Sequence, residues 1–294
     1  MAGAMDPKLN ISRRGVMAGA AGAAGLWLAG TDGAEAQKAD PPLKGRIKQS
    51  VARWCFGAMP LEQLCARAAA MGILGIDLLR ENEWETAKKH GLTCPMAYGI
   101  GTIPDGWNKT ENHDRLMAEA ERAIPKVAQA GLPNIITFSG NRRGLSEEQG
   151  LRNCVAGLKR VAKVAEANKV TVCMELLNSR HDHKDYQCDH TAWGVEVCKT
   201  VGSERVKLLY DIYHMQIMDG DVCATIRDNI AYIAHFHSGG VPGRREIDNT
   251  QELNYARVCA EIAGTGFAGY VAHEFLPARD PMTSLQQAVR ICDV

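Results

Sequence analysis

Residues 169–176 read KVTVCMEL, a short run of β-branched and apolar residues with one carboxylate near its end. Such runs are typical of strands that are buried on both faces, as in a parallel sheet. Similar runs recur from residue 50 onward, and several follow Gly or Asn turn signals. The predicted strands are SVARWCF (50–56), GIDLL (75–79), LTCPMAY (92–98), NIITFSG (134–140), KVTVCMEL (169–176), VKLLYDI (206–212), YIAHFHS (232–238) and GYVAHEF (269–275).

Segments with apolar residues at helical spacing separate these strands. LEQLCARAAAMG (61–72) ends at a glycine, and the segment over 146–168 begins with a serine that can cap a helix. HDRLMAEAERAIPKVAQAG (113–131) contains Pro125, which we expect to kink the helix. A strand–helix unit repeated eight times over about 250 residues predicts an α/β fold, namely a single-domain (β/α)8 TIM barrel.

The N-terminal segment has the features of an export signal. Arg13 and Arg14 form a twin-arginine pair, an uncharged run rich in Ala and Gly follows over 15–30, and AEA (34–36) offers a cleavage site. We expect export to the periplasm by the twin-arginine pathway, without stable membrane anchoring after cleavage; an uncleaved N-terminal anchor is the alternative. The predicted boundaries are 1–36 for the signal peptide, 37–47 for a flexible lead-in and 48–294 for the catalytic barrel.

Charge and cysteine content exclude several classes of protein. Lys and Arg total 34, as do Asp and Glu, so the formal net charge is +0. A neutral chain argues against a nucleic-acid partner held by bulk electrostatics, and it is compatible with a homo-oligomer. The 10 cysteines contain no C-x-x-C pair, which argues against a zinc ribbon or a thioredoxin-type redox site. Buried free thiols are the expected state.

Polar residues occupy the carboxyl ends of the last four predicted strands. The last inward positions there are Glu175, Asp211, His237 and Glu274. In (β/α)8 barrels the chemistry takes place at this end, where neighbouring strands converge. Three carboxylates and one imidazole therefore predict a site for one divalent metal ion, either Mn, Mg, Co or Zn. The alternative is that Asp211 and Glu274 are ion-paired or capping residues without a metal.

The alternation of strand side chains assigns the neighbouring histidines. His273 is predicted to point toward the helices as a hydrogen-bonded packing residue, and His235 to lie one layer deeper than His237 in the barrel. His214 follows the sixth strand and can reach the same cavity from its rim. Trp54, near the end of the first strand, is predicted to wall the pocket, with core packing as the alternative.

Several blocks of sequence resemble the hydroxypyruvate isomerase family, which belongs to the wider xylose isomerase-like barrels. The resemblance runs from about residue 48 to the end of the chain. The family implies that Glu175 and Glu274 form the acid/base pair. The blocks that carry the resemblance are MELLNSR (174–180), LLYDIYHMQIMDGD (208–221), HFHSGGVPGR (235–244), ELNY (252–255) and GYVAHEF (269–275).

The resemblance also implies ligands for the metal and the substrate. In metal-dependent epimerase relatives, the cation is held at the positions of Glu175, Asp211, His237 and Glu274. His214 and Arg244 match groups that contact substrate oxygens, and Asn178 and Arg180 fit the family's E-x-x-N-x-R pattern. Some hydroxypyruvate isomerases carry Gln at the position of His237. The histidine therefore favours a metal-dependent epimerase over a hydroxypyruvate isomerase. The chain departs from the hydroxypyruvate isomerases at two further places, the loop over 181–190 and the export signal.

The implied reaction is removal of a proton α to a carbonyl and its return through an enediolate, on a small-molecule keto acid or sugar. Conversion of hydroxypyruvate to tartronate semialdehyde is the nearest match, with Arg180 or Arg244 as a bidentate clamp on the carboxylate. The alternatives are a ketose 3-epimerase and a metal-dependent lyase or dehydratase acting on a keto-sugar or keto-inositol. A non-catalytic sugar-binding barrel and a nuclease are disfavoured.

Overall fold

The computed structural model describes residues 41–294. The signal peptide predicted over 1–36 and residues 37–40 of the lead-in lie outside the described residues. Residues 42–294 form one compact unit of alternating strands and helices. The strands are β1 (Lys48–Ala52), β2 (Gly75–Asp77), β3 (Ala97–Ile100), β4 (Asn134–Thr137), β5 (Thr171–Glu175), β6 (Val206–Asp211), β7 (Ile233–Ser238) and β8 (Tyr270–His273). The α-helices are α1 (Leu61–Ala70), α2 (Trp84–Lys89), α3 (His113–Gln129), α4 (Glu147–Asn168), α5 (Thr191–Val201), α6 (Ile212–Met218), α7 (Val222–Asn229), α8 (Tyr255–Gly264) and α9 (Pro281–Cys292).

All eight strands form one parallel sheet in the order β2-β1-β8-β7-β6-β5-β4-β3. Backbone hydrogen bonds join β2 and the residue after it to the segment just before β3, because Ile76 N donates to Thr93 O at 2.9 Å and Leu78 N donates to Met96 O at 2.7 Å. The sheet is therefore a nearly closed barrel with helices between the strands. This confirms the predicted (β/α)8 fold.

Two predicted strands differ from the observed ones. The strand predicted over 92–98 is observed as β3 at Ala97–Ile100, because Pro95 has no N–H to contribute to a strand ladder. The strand predicted over 50–56 begins earlier, at the polar residues Lys48 and Gln49, and is followed by a 3-10 turn over Arg53–Phe56. The predicted and observed ranges share residues 50–52 in β1 and only residues 97–98 in β3.

Helix ends follow the local sequence signals. Ser146 caps α4, and its Oγ accepts a hydrogen bond from Gln149 N at 3.1 Å. Helix α3 continues through Pro125 to Gln129. No helix within residues 41–294 is long and apolar enough to cross a membrane.

The end of the lead-in contacts the barrel. Leu43 packs against the hydrophobic core, and Lys44 N donates a hydrogen bond to Asp293 Oδ1 at 2.7 Å. The segment just before β1, which the sequence predicted to be flexible, is thus anchored to the C-terminal end of the chain.

The cysteines are free, as expected, and 8 of the 10 are buried. Burial raises the pKa of thiols such as Cys154 and Cys173 well above the usual range. Such thiols are packing residues of the hydrophobic core rather than nucleophiles.

Candidate active site

Four polar side chains converge at the carboxyl end of the barrel. Glu175 ends β5, Asp211 ends β6, His237 lies one residue before the end of β7, and Glu274 directly follows β8. Each is buried, and their ligand atoms all lie within 4.8 Å of one another. We call these four residues the donor cluster. Their convergence follows from the strand register, which pairs Asp211 with His237 across β6 and β7.

The ring of His237 stands at the centre of the donor cluster. Its Nδ1 lies 2.7 Å from Glu274 Oε2, 3.3 Å from Glu175 Oε1 and 3.9 Å from Asp211 Oδ2. None of these three contacts has the geometry of a hydrogen bond, so Nδ1 is a buried nitrogen without a hydrogen-bond partner. An imidazole nitrogen that faces three carboxylates in this way fits a divalent cation shared by all four residues.

Arg244 supplies the positive charge that the donor cluster requires. Its Nη2 donates to Asp211 Oδ2 at 2.5 Å and also contacts Glu274 Oε2, and its Nη1 lies 2.8 Å from His214 Nε2. The pKa of Arg244 is raised, because the two carboxylates outweigh the effect of burial. Three ionised carboxylates would be balanced by Arg244 together with one divalent cation, and buried charges require such pairing.

The two glutamates differ in proton affinity. Burial raises the pKa of Glu175 to about 7, although the nearby His237 opposes the shift. Burial also acts on Glu274, but His237 and Arg244 outweigh it and hold the pKa of Glu274 well below its usual range. Two carboxyl groups whose environments separate their pKa values are typical of acid/base pairs.

The rim of the site is built by residues that follow β5 and β6. His214 N donates to Asp211 Oδ1 at 3.0 Å, so Asp211 caps α6 and fixes the position of His214. Asn178 Nδ2 lies 2.6 Å from His214 Nδ1, while Asn178 Oδ1 accepts from His181 N at 3.0 Å. Asn178 does not line the cavity but supports His214 from behind.

Arg180 lies outside the cavity. It is exposed, and its Nη1 donates to Ile217 O at 2.7 Å. The prediction that Arg180 clamps a substrate carboxylate has no support in this arrangement, because the loop after β5 turns the side chain toward the end of α6. Of the two candidate arginines, Arg244 is the one that reaches the site.

Trp54 lies in the 3-10 turn after β1 and lines the cavity, as predicted. Its Nε1 donates to Glu274 Oε1 at 2.5 Å, and its side chain is 48% exposed. Trp54 is therefore a wall of the cavity that also orients one of the two glutamates.

Asp77 is a buried member of the site that the sequence analysis missed. Its Oδ2 lies 2.5 Å from His235 Nε2 and 3.6 Å from His237 Nε2. The second nitrogen of His237 thus faces a carboxylate, an arrangement that commonly orients a metal-binding imidazole. The available signal was an aspartate in the middle of GIDLL (75–79), which stands at the end of the observed strand β2. His235 lies one layer deeper, as predicted.

His273 lies outside the donor cluster, as the strand alternation predicted. It is buried, and its Nε2 lies 2.8 Å from Gln49 Oε1. Burial lowers the pKa of His273 to about 4, so the ring is neutral at physiological pH.

A cavity of about 640 Å³ opens above the donor cluster. His214, Arg244, Tyr213, Asp182 and His183 line its polar side. Fold and site together define a (β/α)8 barrel with a buried candidate metal centre at the floor of a pocket.

The comparisons with known proteins agree with this class. The model of the xylose isomerase-like TIM barrel family matches residues 65–293. A 2-oxo-tetronate isomerase from Cupriavidus necator is 37% identical over 116 residues, which cover 40% of this chain and less than half (44%) of that protein. The hydroxypyruvate isomerase of Escherichia coli is 28% identical over 235 residues, covering 76% of this chain and 90% of that protein.

The solved structures show the same fold. The crystal structure of an AP endonuclease of family 2 from Brucella melitensis has a TM-score of 0.73 and 21% sequence identity, and the alignment covers 81% of this chain and 96% of that one. At this identity the likeness concerns the fold alone. The chain belongs to the xylose isomerase-like TIM barrel family, which confirms the resemblance seen in the sequence.

Proposed function

We propose that the protein is a metal-assisted isomerase or epimerase that moves a proton on an α-hydroxy carbonyl compound, either a keto acid or a ketose. The observation that carries the proposal is the pair Glu175 and Glu274, two buried members of the donor cluster whose surroundings shift their pKa values in opposite directions. Isomerisation of hydroxypyruvate to tartronate semialdehyde is the specific candidate, and it is supported by relatives named hydroxypyruvate isomerase and 2-oxo-tetronate isomerase. Epimerisation of a ketose uses the same first step.

The donor cluster would hold the cation through Glu175, Asp211, His237 and Glu274. A divalent metal bound there polarises the carbonyl of the substrate. Glu175, with a pKa of about 7, suits the removal of the proton next to that carbonyl at neutral pH. The bound cation would also lower this pKa, which favours the ionised form of the base.

The second transfer falls to Glu274 on the other side of the reacting carbons. Its low pKa keeps it ionised in the resting site, so it would first take a proton from solvent through the open cavity and then donate it readily to carbon, while the proton on Glu175 returns to solvent. Arg244 contacts Glu274 and would donate to the oxygen that becomes negative in the enediolate, while His214 lies beside Arg244 and holds its guanidinium through Nε2.

Exchange of deuterium from solvent tests the proposal. The purified protein is first analysed for bound metals, then loaded with Mn²⁺ and incubated in D₂O with hydroxypyruvate, 2-oxo-tetronate and a series of ketoses. We expect deuterium at the carbon next to the carbonyl of at least one compound, with the substrate mass otherwise conserved. A product that has lost water supports the dehydratase alternative, and absence of exchange into every compound contradicts the proposal.

A further inference from the structure

The cavity wall that faces the donor cluster is apolar. It is formed by residues in or after β2 to β5, and we call it the apolar wall. Polar atoms on this side come from Thr102 and from Tyr98 at the mouth. The residues of the apolar wall are Leu78, Ile103, Pro104, Ile136, Phe138 and Leu177.

The mouth of the cavity continues this apolar surface. Among residues 41–294, three large hydrophobic side chains are exposed, Trp54 at 48%, Leu74 at 46% and Tyr98 at 52%. Trp54 and Tyr98 line the cavity, whereas Leu74 does not. Exposure of large apolar groups is unfavourable, and its concentration at a cavity mouth is typical of a binding surface.

One residue of the apolar wall, Leu78, has a strained backbone conformation. Its φ of 60° lies in the left-handed region, which a leucine rarely adopts. Arg244, on the polar side, has a φ of 54°. Strained residues cluster at functional sites, where the surrounding structure holds a side chain in a required direction. Of the six non-glycine residues with positive φ in the described part of the chain, Leu78 and Arg244 line this cavity, one on its apolar and one on its polar side.

The volume of the cavity exceeds the need of a three-carbon substrate. The cavity of about 640 Å³ corresponds to roughly twenty water molecules at liquid density. Hydroxypyruvate displaces only roughly three or four of them. A longer polyhydroxylated chain would fill more space, but most of its hydroxyl groups would face the apolar wall without hydrogen-bond partners, which weakens binding.

We infer that the natural substrate carries an apolar substituent of about the size of an aromatic ring, attached to the α-hydroxy carbonyl unit that reacts at the donor cluster. The substituent lies against the apolar wall and beneath Trp54 and Tyr98. This inference rests on the proposed function for the identity of the reacting unit. With such a substrate, this protein would differ from an enzyme whose natural substrate is hydroxypyruvate or an unsubstituted ketose.

Binding of matched pairs of compounds tests the inference. The first pair is hydroxypyruvate and its benzyl-substituted homologue, 3-hydroxy-2-oxo-4-phenylbutanoate; the second is D-fructose and its 6-O-benzyl ether. Dissociation constants are measured by calorimetry with the Mn²⁺-loaded protein. We expect the aryl compound to bind at least about tenfold more tightly in one pair or both, because it buries apolar surface. Equal or weaker binding in both pairs, or no measurable binding of any compound, overturns the inference.

The same compounds separate this inference from the proposed function. Deuterium exchange into a compound reports the proton transfer, whereas the ratio of dissociation constants reports the apolar wall. Tight binding of the aryl compounds without exchange contradicts the proposed function alone. Exchange into the compounds of both pairs, with equal affinity within each pair, contradicts the inference alone.

Two variants test whether the affinity advantage of the aryl compounds depends on the apolar wall and the cavity mouth. Leu78→Asn introduces a polar group at a backbone conformation that asparagine tolerates, so we expect little change in the melting temperature and a loss of about fivefold or more in the affinity advantage of the aryl compound. Tyr98→Ser removes the ring at the mouth, and Leu74→Ser is its matched control, because both side chains are similarly exposed. Tyr98→Ser should lower the aryl advantage and Leu74→Ser should not. An undiminished advantage in both Leu78→Asn and Tyr98→Ser contradicts the inference.

Discussion

The two sides of the cavity are built on different physical principles. On the side of β5 to β8, charged groups are buried and each contacts another charged group, as Arg244 contacts Asp211 and Glu274. On the side of β2 to β4, hydrophobic side chains such as Ile136 and Phe138 are held by packing alone. Buried charges tolerate little change because each depends on its partners, whereas apolar packing accepts substitutions of similar volume. In our proposals the reaction takes place on the first side of the cavity, and the second side selects the substrate.

The largest effect is expected from the glutamates of the charged side. Glu175→Gln and Glu274→Gln keep the shape of each side chain but remove its ability to carry the proton. Each should lower the rate of deuterium exchange about 10²- to 10⁴-fold, because general acid–base catalysis contributes about that much. The rate is measured by NMR with any compound that the unchanged protein exchanges. Near-full exchange in both variants would show that the reaction does not depend on these residues.

Paired methionine substitutions compare the two sides directly. Arg244→Met removes the guanidinium that pairs with the carboxylates of the donor cluster. We therefore expect the free energy of unfolding of the metal-free protein to fall by about 3–5 kcal/mol. Leu177→Met on the apolar wall conserves volume and should cost less than about 1.5 kcal/mol. Urea unfolding measures both. Equal losses would remove the distinction between the two sides.

The contact between Asp77 and His237 gives an intermediate effect. Asp77→Asn removes the carboxylate that faces the second nitrogen of the imidazole, so we expect the affinity for Mn²⁺ to fall about 10- to 100-fold. Calorimetric titration with Mn²⁺ measures this affinity. Asp248→Asn is the control, because Asp248 is also a buried carboxylate but pairs with Arg279 outside the site. An unchanged affinity in Asp77→Asn would limit Asp77 to a packing role.

The smallest effect is expected at Trp54, which lies between the two sides. Trp54→Phe keeps an aromatic wall but removes the hydrogen bond from Nε1 to Glu274. Since the side chain is half exposed, water can replace part of this bond, and we expect a decrease of about three- to tenfold in the exchange rate. The affinity advantage of the aryl compounds should persist. A loss of that advantage with an unchanged rate would place Trp54 on the apolar side alone.

The sequence analysis succeeded where residues lie on strands. Glu175, Asp211 and His237 lie on strands, and Glu274 directly follows one, so the alternation of inward and outward side chains placed them correctly. It was less successful in the loops: Arg180 and Arg244 were equivalent candidates for a carboxylate clamp, and only one of them reaches the cavity. Asp77 was missed because the predicted strand runs on to Leu79, whereas the observed β2 ends at Asp77 and so places its carboxylate at the carboxyl end of the barrel.

The repeated strand pattern was enough to specify a barrel and the four polar groups at its carboxyl end, because the twofold period of a strand is a local property of the chain. The folded molecule alone revealed the partners of those groups. Asp77 reaches the two histidines of β7 from β2, a contact between residues 158 positions apart. The apolar wall likewise joins residues from four strands and their loops, and no local pattern encodes which of them meet. Such contacts depend on how the whole barrel closes, which long-range packing decides.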